Sequence, residues 1–280
     1  MKELERATVD GLELEYELRG SGEPVVLIHW GLSAAWAEPL LDEPPLAARH
    51  IVLRYHRAGF AGSDRVDGPV SMADHAAHCA ELMRGLGIER AHVVGHSSSA
   101  VIALQLALDF PEAVQTLALM EPARPVPQTE VQAAFVREFV APAIQRHRAG
   151  DAAGAVDTFA RGVFGPGFRD PLERGLPGAF EQAVADADAF FDQELAALQA
   201  WSFTEKDARR VTHAVLGVRG ANTAPTFPER LELLLSWLPN AEELEVAGAT
   251  HLLHVQRPRE VAEGLASFFA RHSVEAPLRA

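Results

Sequence analysis

Short apolar runs recur along the chain, and they predict strands. The first two, residues 4–9 and 12–19, flank Asp10 and Gly11, a dipeptide that favours the tight turn of an antiparallel hairpin. Six further runs follow, at residues 25–28, 51–53, 92–94, 116–120, 214–218 and 243–246. Continuous apolar runs suit strands that are buried on both faces, whereas the alternation of the last run is typical of an edge strand.

Helical periodicity separates most of these runs. The apolar residues of segment 72–83 share one face of a helix, and Ser71 and Asp74 have the spacing of an N-terminal capping box. The same periodicity appears in residues 101–108 and 261–269. Strands that alternate with helices predict an α/β fold, with a mostly parallel central sheet flanked by helices on both faces.

The alternation stops between Glu121 and about Arg210, where nothing in the sequence predicts a strand. Apolar residues there recur only at helical spacing, and pairs of proline and glycine interrupt them. We therefore expect an all-helical cap, residues 122–210, inserted into a core made of residues 1–121 and 211–280.

The composition is that of an ordinary globular protein, since 48% of the 280 residues are hydrophobic and 23% are charged. A formal net charge of −14 argues against a nucleic-acid partner. No apolar stretch is long enough to span a membrane, and the first ten residues carry both charge signs, unlike a signal peptide. Cys79 is the only cysteine, which excludes intramolecular disulfides and favours a cytoplasmic location.

The strongest functional signal lies in residues 91–100, AHVVGHSSSA. An apolar run leads into Gly95, and a helical pattern begins just after Ser97. In such a strand-turn-helix the residues two before and two after the serine must be small, here Gly95 and Ser99, so that its hydroxyl can project above the sheet. Ser97 is therefore the candidate nucleophile. The alternative is a serine that only caps the helix.

This segment resembles the nucleophile motif of the α/β-hydrolase family, G-x-S-x-G, with Ser99 where the second glycine is usual. The resemblance covers essentially the whole chain, from the opening hairpin through the inserted cap to the terminal helix. It implies the α/β-hydrolase fold and a serine hydrolase. Ser98 and Ser99 would react only if the turn were shifted.

The resemblance also implies a general base in a loop near the C-terminus. The segment from Gly248 to His251 follows the last predicted strand and resembles the family's G-x-x-H loop, so His251 is the candidate base. His254 is its rival and is expected to point into the helix packing. A metal pair of His251 and His254 lacks further ligands nearby, and we expect no metal site.

The position of the orienting acid departs from the usual pattern. Thr223 stands after residues 214–218, where most members of the family have an aspartate. A second location in the family is the end of the strand after the nucleophile's own strand, and Glu121 occupies it. Glu121 is therefore expected to hold the outer nitrogen of His251. The alternative is a Ser–His dyad, with Asn222 orienting the histidine.

Residues 28–32, IHWGL, resemble the family's H-G-x segment, whose backbone N–H helps to stabilise an oxyanion. By its offset from His29, the expected donor is Gly31, acting together with the N–H of Ser98. A shift of one residue would make Trp30 the donor instead, and the alternative is a simple turn at the end of a strand.

The implied reaction is hydrolysis of an ester, a thioester or a lactone through an acyl-enzyme on Ser97, with no cofactor. The alternatives are cleavage of a carbon–carbon bond or perhydrolysis by the same residues, and a non-catalytic ligand-binding protein on the same scaffold. The expected partner is a small-molecule substrate, and Phe190, Phe191 and Trp201 are candidates for lining its pocket. We expect no nucleic-acid or membrane partner, and the sequence leaves a homodimer open.

Overall fold

Eight strands form one sheet in the computed structural model, which describes residues 4–273; expectations for residues 1–3 and 274–280 lie outside this part. The strands are β1 (Glu5–Val9), β2 (Leu12–Gly20), β3 (Glu23–Ile28), β4 (His50–Tyr55), β5 (Ala91–His96), β6 (Val114–Met120), β7 (Ala214–Gly220) and β8 (Ala241–Val246). Their order across the sheet is β1-β2-β4-β3-β5-β6-β7-β8. The pairings of β1 with β2 and of β2 with β4 are antiparallel, and the other five are parallel. The predicted mostly parallel sheet is confirmed.

The hairpin turns where its sequence predicts. Asp10 and Gly11 both have positive φ, 49° and 76°, as the tight turns of two-residue hairpins require. The resulting register pairs Val9 with Leu12. At the opposite edge of the sheet, β8 is mostly exposed, in agreement with its alternating sequence.

Helices flank the sheet and fill the cap. The α-helices are α1 (Glu38–Leu41), α2 (Pro44–Ala47), α3 (Met72–Gly85), α4 (Ser98–Asp109), α5 (Glu130–Phe135), α6 (Ala141–Arg148), α7 (Ala152–Phe164), α8 (Arg169–Gly175), α9 (Ala179–Ala185), α10 (Leu195–Ala200), α11 (Glu205–Ala208), α12 (Thr226–Trp237), α13 (Leu253–Gln256) and α14 (Pro258–Arg271). Two 3₁₀ turns, Ala34–Ala37 and Pro111–Ala113, and two π-helical stretches, Val136–Val140 and Ala189–Glu194, complete the helical segments that the described residues form. The predicted capping box starts α3, where Ser71 and Asp74 bond each other's backbone N–H.

Alternate residues of the parallel strands enter two hydrophobic cores, one on each face of the sheet. In β3, Val25 and Leu27 belong to one core and Val26 and Ile28 to the other, and all four are buried. Helix α14 and the cap helices contribute to the first core, whereas α3 and α4 contribute to the second. This explains why the parallel strands are continuously apolar.

Between β6 and β7 the described chain contains helices and no strand, as predicted. Its phenylalanines, Phe159 and Phe190 among them, belong to the same hydrophobic core as Val25 and Leu27 of the sheet. The cap therefore packs directly onto the core. In the part of the chain that the structure describes, no helix is long and apolar enough to cross a membrane.

The parallel strands end at a common edge of the sheet, and the candidate residues follow these ends. His29 and Gly31 follow β3, Ser97 follows β5, and Glu121 follows β6. Ligands of open α/β sheets bind at the carboxyl ends of the strands. The fold thus brings residues together that are far apart in the sequence.

Candidate active site

Ser97 lies in a strained turn between β5 and α4. Its φ and ψ are 55° and −116°, a conformation that residues other than glycine rarely adopt. The turn is held by hydrogen bonds from Ser97 N–H to the Met120 carbonyl (2.9 Å) and from Ala123 N–H to the Ser97 carbonyl (3.0 Å). The Ser97 side chain makes no capping hydrogen bond to α4, so the capping alternative is not what the geometry shows.

The neighbours of Ser97 explain how the turn closes. A side chain at Gly95 would place its Cβ 2.7 Å from the backbone of Ala100, which only glycine avoids. Ser99, in place of the second glycine, is buried, and its Oγ donates to the Ile28 carbonyl (2.6 Å) and accepts from His96 N–H (2.8 Å). The Ser99 hydroxyl therefore ties β5 to β3 and is not free to react.

Glu121 and His251 are in direct contact, although 130 residues separate them in the sequence. Glu121 Oε2 bonds His251 Nδ1, and both side chains are fully buried. Glu121 Oε1 also accepts from Gly220 N–H (2.7 Å), and Oε2 accepts from the Thr223 hydroxyl (2.8 Å). Donors converge on both oxygens, which suits an ionised carboxylate.

Thr223 thus compensates for the aspartate that this chain lacks after β7. It donates to the acid at the end of β6 instead of orienting the histidine itself. Asn222 is exposed, and its hydrogen bond runs from its backbone N–H to Ala249. Among the described residues no hydrogen bond joins its side chain to His251, so the geometry does not support the dyad alternative.

Aromatic rings enclose His251. The ring of Phe227 stacks on it at a centroid distance of 3.9 Å, and His96, the residue before Ser97, packs at 4.3 Å. His251 Nδ1 is taken by Glu121, and within the described chain Nε2 has no hydrogen-bond partner. The nitrogen that a base would use is therefore the available one.

Burial changes the acidity of this pair. It lowers the pKa of His251 well below its usual value, and the nearby positive charge of Arg230 acts in the same direction. Burial raises the pKa of Glu121 to about 8, although the hydrogen bonds from Gly220 and Thr223 oppose this rise. Because the two groups are in contact, they titrate as a pair.

His254 is packed among aromatic rings. Its ring packs against Trp36 at 5.3 Å and against His96 at 5.2 Å, and burial lowers its pKa well below the usual value. His96 in turn accepts a hydrogen bond from the Trp36 indole (2.9 Å). His254 therefore belongs to the packing beneath the site.

Gly31 N–H is engaged by the cap. It donates to Glu194 Oε1 at 3.1 Å and lies 3.4 Å from Ser98 Oγ. Glu194 in turn forms a fully buried ion pair with Arg57 (2.5 Å), whose guanidinium also donates to the His29 carbonyl. A Cβ on Gly31 would come within 2.5 Å of the Phe190 ring, so the approach of the cap requires glycine here.

A cavity of about 360 Å³ opens beside Ser97, between the sheet edge and the cap. Its polar lining residues are Ser97, Ser98, Arg124, Gln199 and Arg230. The remaining lining residues are apolar: Trp30, Ala123, Val126, Phe135, Val136, Val140, Ile144, Phe159, Val163, Phe190, Leu195, Leu198 and Phe227. Such an apolar cavity with a few polar groups is typical of small-molecule sites.

Of the three aromatic candidates for the pocket, which core packing would equally explain, only one lines the cavity. Phe190 does, whereas Phe191 stacks on His147 and Trp201 stacks on Phe203. Phe191 and Trp201 therefore pack against other side chains and do not face the cavity. Trp30, the alternative donor position to Gly31, does line the cavity.

Sequence reasoning missed four charged residues near the site: Arg57, Arg124, Glu194 and Arg230. Each lies in a loop or a helix, where the ordinary expectation for a charged residue is exposure to solvent. In the structure Arg57, Glu194 and Arg230 are buried. No local pattern distinguishes them, because their burial depends on how the cap packs.

One group of side chains in the cap has the composition of a metal site. His147, Asp188 and Asp192 bring potential ligand atoms within 4.8 Å of one another. The two carboxylates are exposed, and His147 Nε2 lies 3.1 Å from Asp192, a contact that needs no metal ion. None of the three lines the cavity beside Ser97.

Comparison with known proteins agrees with this architecture. A family model described as the alpha/beta hydrolase family matches residues 25–264. A protein of Caulobacter vibrioides (strain NA1000 / CB15N), whose name provisionally assigns it as the carbamate hydrolase RutD, is 30% identical over 278 residues, covering 96% of this chain and 98% of that protein. A protein of the same name from Azorhizobium caulinodans is 38% identical over 109 residues, which are 39% of this chain and 40% of that protein.

The crystal structure of the enol-lactonase from Burkholderia xenovorans LB400 is similar in fold. It superposes with a TM-score of 0.81 at 19% identity and covers 95% of this chain and 100% of that one. At this identity the likeness concerns the fold alone. The family model spans most of the chain and the Caulobacter relative matches over nearly its whole length, and together they show that the chain belongs to the α/β-hydrolase family.

Proposed function

We propose that this protein is a serine hydrolase that cleaves an ester, a thioester or a lactone through an acyl-enzyme on Ser97. One observation carries the proposal: Ser97 is held at a positive φ in the turn before α4, makes no capping bond and lines an apolar cavity. Such strain is stored where a side chain must be presented to a substrate.

In the first half of the reaction, Ser97 Oγ attacks the carbonyl carbon, and its proton passes to His251 Nε2. Glu121 keeps the other proton of the ring on Nδ1, so Nε2 is unprotonated and can act as base. The ring then carries a positive charge that the Glu121 carboxylate stabilises. His251 gives the proton to the departing alcohol, thiol or lactone oxygen, which leaves the acyl group on Ser97.

In the second half, water attacks the acyl-enzyme and His251 Nε2 takes one of its protons. The tetrahedral intermediate collapses, the proton returns to Ser97 Oγ, and the carboxylic acid leaves. The proposed cycle uses only Ser97, His251, Glu121 and backbone N–H groups, and its first step requires Ser97 Oγ to reach His251 Nε2, which has no hydrogen-bond partner in the described chain.

Backbone N–H groups donate hydrogen bonds to the developing oxyanion. Ser98 is the first residue of α4, so its N–H has no partner within the helix. The second donor comes from the turn after β3, where Gly31 N–H is the first candidate and Trp30 N–H the alternative. Gly31 can serve only when its bond to the Glu194 carboxylate is exchanged for one to the oxyanion.

A carbamate is the second candidate substrate, because the relative matched over 98% of its length carries that name. Its carbonyl would be attacked by the same serine, with the carbamoyl group held on Ser97. Carbon–carbon cleavage and perhydrolysis would use the same residues, so a panel of substrates separates these reactions. A non-catalytic binding protein would lack a reactive serine altogether.

A fluorophosphonate probe tests the proposal before any substrate is chosen. The wild-type protein should gain the mass of one adduct, whereas Ser97→Ala should gain none, because only an activated serine reacts. Ser99→Ala should still be labelled, since that hydroxyl is bonded to Ile28 and His96. A folded wild-type protein that stays unlabelled, or labelling that persists in Ser97→Ala, would contradict the proposal.

A further inference from the structure

We infer that the cavity beside Ser97 accepts a substrate that carries a carboxylate in addition to the carbonyl under attack, and that Arg124 and Arg230 bind this carboxylate. The inference rests on the proposed function and adds the chemical class of the substrate. Both arginines line the cavity together with Ser97.

Arg230 is a buried cation with unused donors. Its side chain is only 7% exposed, and its one hydrogen bond in the described chain runs from Nε to Gln132 Oε1 at 2.9 Å. Gln132 is itself fixed by the hydroxyl of Thr226 (2.6 Å) and by the Thr226 carbonyl (2.8 Å). A guanidinium has five N–H donors, so a positioned arginine with further N–H groups faces the cavity.

Glu229, the acid nearest in sequence, forms no ion pair with Arg230 in the described chain, and its charge only partly offsets the effects of burial and of Arg124 on the pKa of Arg230. Glu229 directs its carboxylate to the Thr129 hydroxyl (2.7 Å) and to the Gln132 amide (3.1 Å). Within residues 4–273 no ion pair involves Arg124 or Arg230, and no carboxylate lines the cavity. This differs from Arg57, which is equally buried but is paired with Glu194.

The two arginines also act on each other. Burial lowers the pKa of both, and the charge of Arg124 contributes to lowering that of Arg230 to about 10. Two cations in one cavity whose lining residues include no carboxylate are unfavourable where the cavity is partly dehydrated. A bound anion removes this cost, whereas a neutral ligand leaves it in place.

The remaining features of the cavity define the rest of the ligand. Its other walls are almost entirely apolar, so the ligand has a hydrocarbon body. A planar carboxylate matches the fork of a guanidinium with two parallel hydrogen bonds. Arg230 follows Phe227 by one turn of α12, and Phe227 stacks on His251, so the anion site adjoins the candidate base. A half-ester of a dicarboxylic acid, or the corresponding lactone acid, combines these features.

Binding to Ser97→Ala measures this site without requiring turnover. The probes are the monomethyl esters of glutarate, adipate and pimelate, each compared with its neutral dimethyl ester by calorimetry. We expect at least one monoester to bind more tightly than its diester by on the order of 10-fold or more, the range for a hydrogen-bonded charge. Adding Arg124→Gln or Arg230→Gln should remove most of this preference, and the length of the best monoester reports the span of the site.

Arg209→Gln is the matched control, because it removes one positive charge from an exposed arginine that pairs with Glu205 on the surface. It should leave the preference within about twofold of its original value, as expected for a screened surface charge. Arg124 is half-buried, so Arg124→Gln keeps the test valid even if Arg230→Gln does not fold.

Equal binding of monoesters and diesters overturns the inference, as does a preference that both arginine variants retain. Failure of every monoester to bind at millimolar concentration overturns it as well. Fluorophosphonate labelling of the wild-type protein reports separately on Ser97. If Ser97 is labelled but monoesters bind no better than diesters, the hydrolase proposal stands and the anion site does not. If monoesters bind better but Ser97 is not labelled, the anion site stands and the hydrolase proposal does not.

Discussion

At the scale of single residues, Glu121 and Thr223 together supply a carboxylate partner for His251. The chain lacks an aspartate after β7, and Thr223 at that place donates its hydroxyl to the glutamate at the end of β6. The same glutamate bonds His251 Nδ1. The carboxylate therefore follows β6 and the hydroxyl that donates to it follows β7, and His251 has a carboxylate partner.

Glu121→Gln tests whether this carboxylate orients the base. The amide cannot both accept from Nδ1–H and stabilise a positive ring, so we expect kcat for an activated ester to fall by on the order of 10³- to 10⁴-fold. Thr223→Val removes only one supporting hydrogen bond and should cost far less. Asn222→Ala is the control and should leave kcat unchanged. A Glu121→Gln variant with nearly normal turnover would favour the dyad.

The pH profile of the reaction reports the His251–Glu121 pair. Protonation of Nε2 removes the base, so kcat/KM should fall as the pH decreases through the pKa of the pair. Arg230 lies close enough to lower the pKa of His251. Arg230→Gln removes a positive charge that disfavours the protonated ring, so the acid limb should move to higher pH. The groups facing the ring are Glu121, His96, His254 and Arg230.

The shift of the acid limb in Arg230→Gln is measured with a neutral ester. Binding of such an ester does not depend on the proposed anion site, so only the effect on the pKa of the His251–Glu121 pair is observed. Arg209→Gln again serves as the control, since its guanidinium is exposed and remote from the site. An acid limb that stays in place or moves to lower pH in Arg230→Gln would contradict the electrostatic argument.

At the scale of elements, the π-helical stretch Ala189–Glu194 joins the cap to the core. It ends on Glu194, which bonds both Arg57 in the loop after β4 and the backbone of Gly31 after β3. Phe190 of the same stretch lines the cavity. One element therefore connects the wall of the cavity, the Arg57–Glu194 ion pair and the turn that carries the proposed second oxyanion donor.

Removing one partner of the buried Arg57–Glu194 ion pair should lower the free energy of unfolding. Glu194→Ala leaves the Arg57 charge buried without its carboxylate, and we expect the free energy of unfolding to fall by about 3 to 5 kcal/mol. Glu205→Ala, which breaks the exposed pair with Arg209, should cost less than about 1 kcal/mol. Urea unfolding of both variants measures the difference. Similar losses for the two variants would show that the buried pair contributes no more than a surface pair.

At the scale of the whole molecule, a strongly acidic protein encloses a locally positive cavity wall. The net charge is −14, yet the polar groups that line the cavity include two arginines and no carboxylate among the described residues. The net charge of the protein therefore does not predict the sign of the charges that line the cavity. The sheet explains the arrangement, because it collects the ends of β3, β5 and β6 at one edge and the cap covers that edge.

The sequence alone determined much of this organisation. Strand runs, helical periodicity and the hairpin turn are local signals, so the eight strands, the capping box of α3 and the helical insertion followed from neighbouring residues. Ser97 and His251 become candidates through their order relative to the strands and through short motifs that resemble those of the family. The contact of Glu121 with His251 was expected only through resemblance, because 130 residues separate the two.

Tertiary structure decided the remaining features. Glu194 meets Arg57 across 137 residues and Gly31 across 163, and Arg230 meets Gln132 across 98. Each contact depends on how the cap helices pack against the sheet, which no periodicity in the sequence encodes. An arginine in a helix has the same local pattern whether it is solvated or buried. Only packing determines whether its charge is screened by water, paired with a carboxylate or directed into a cavity.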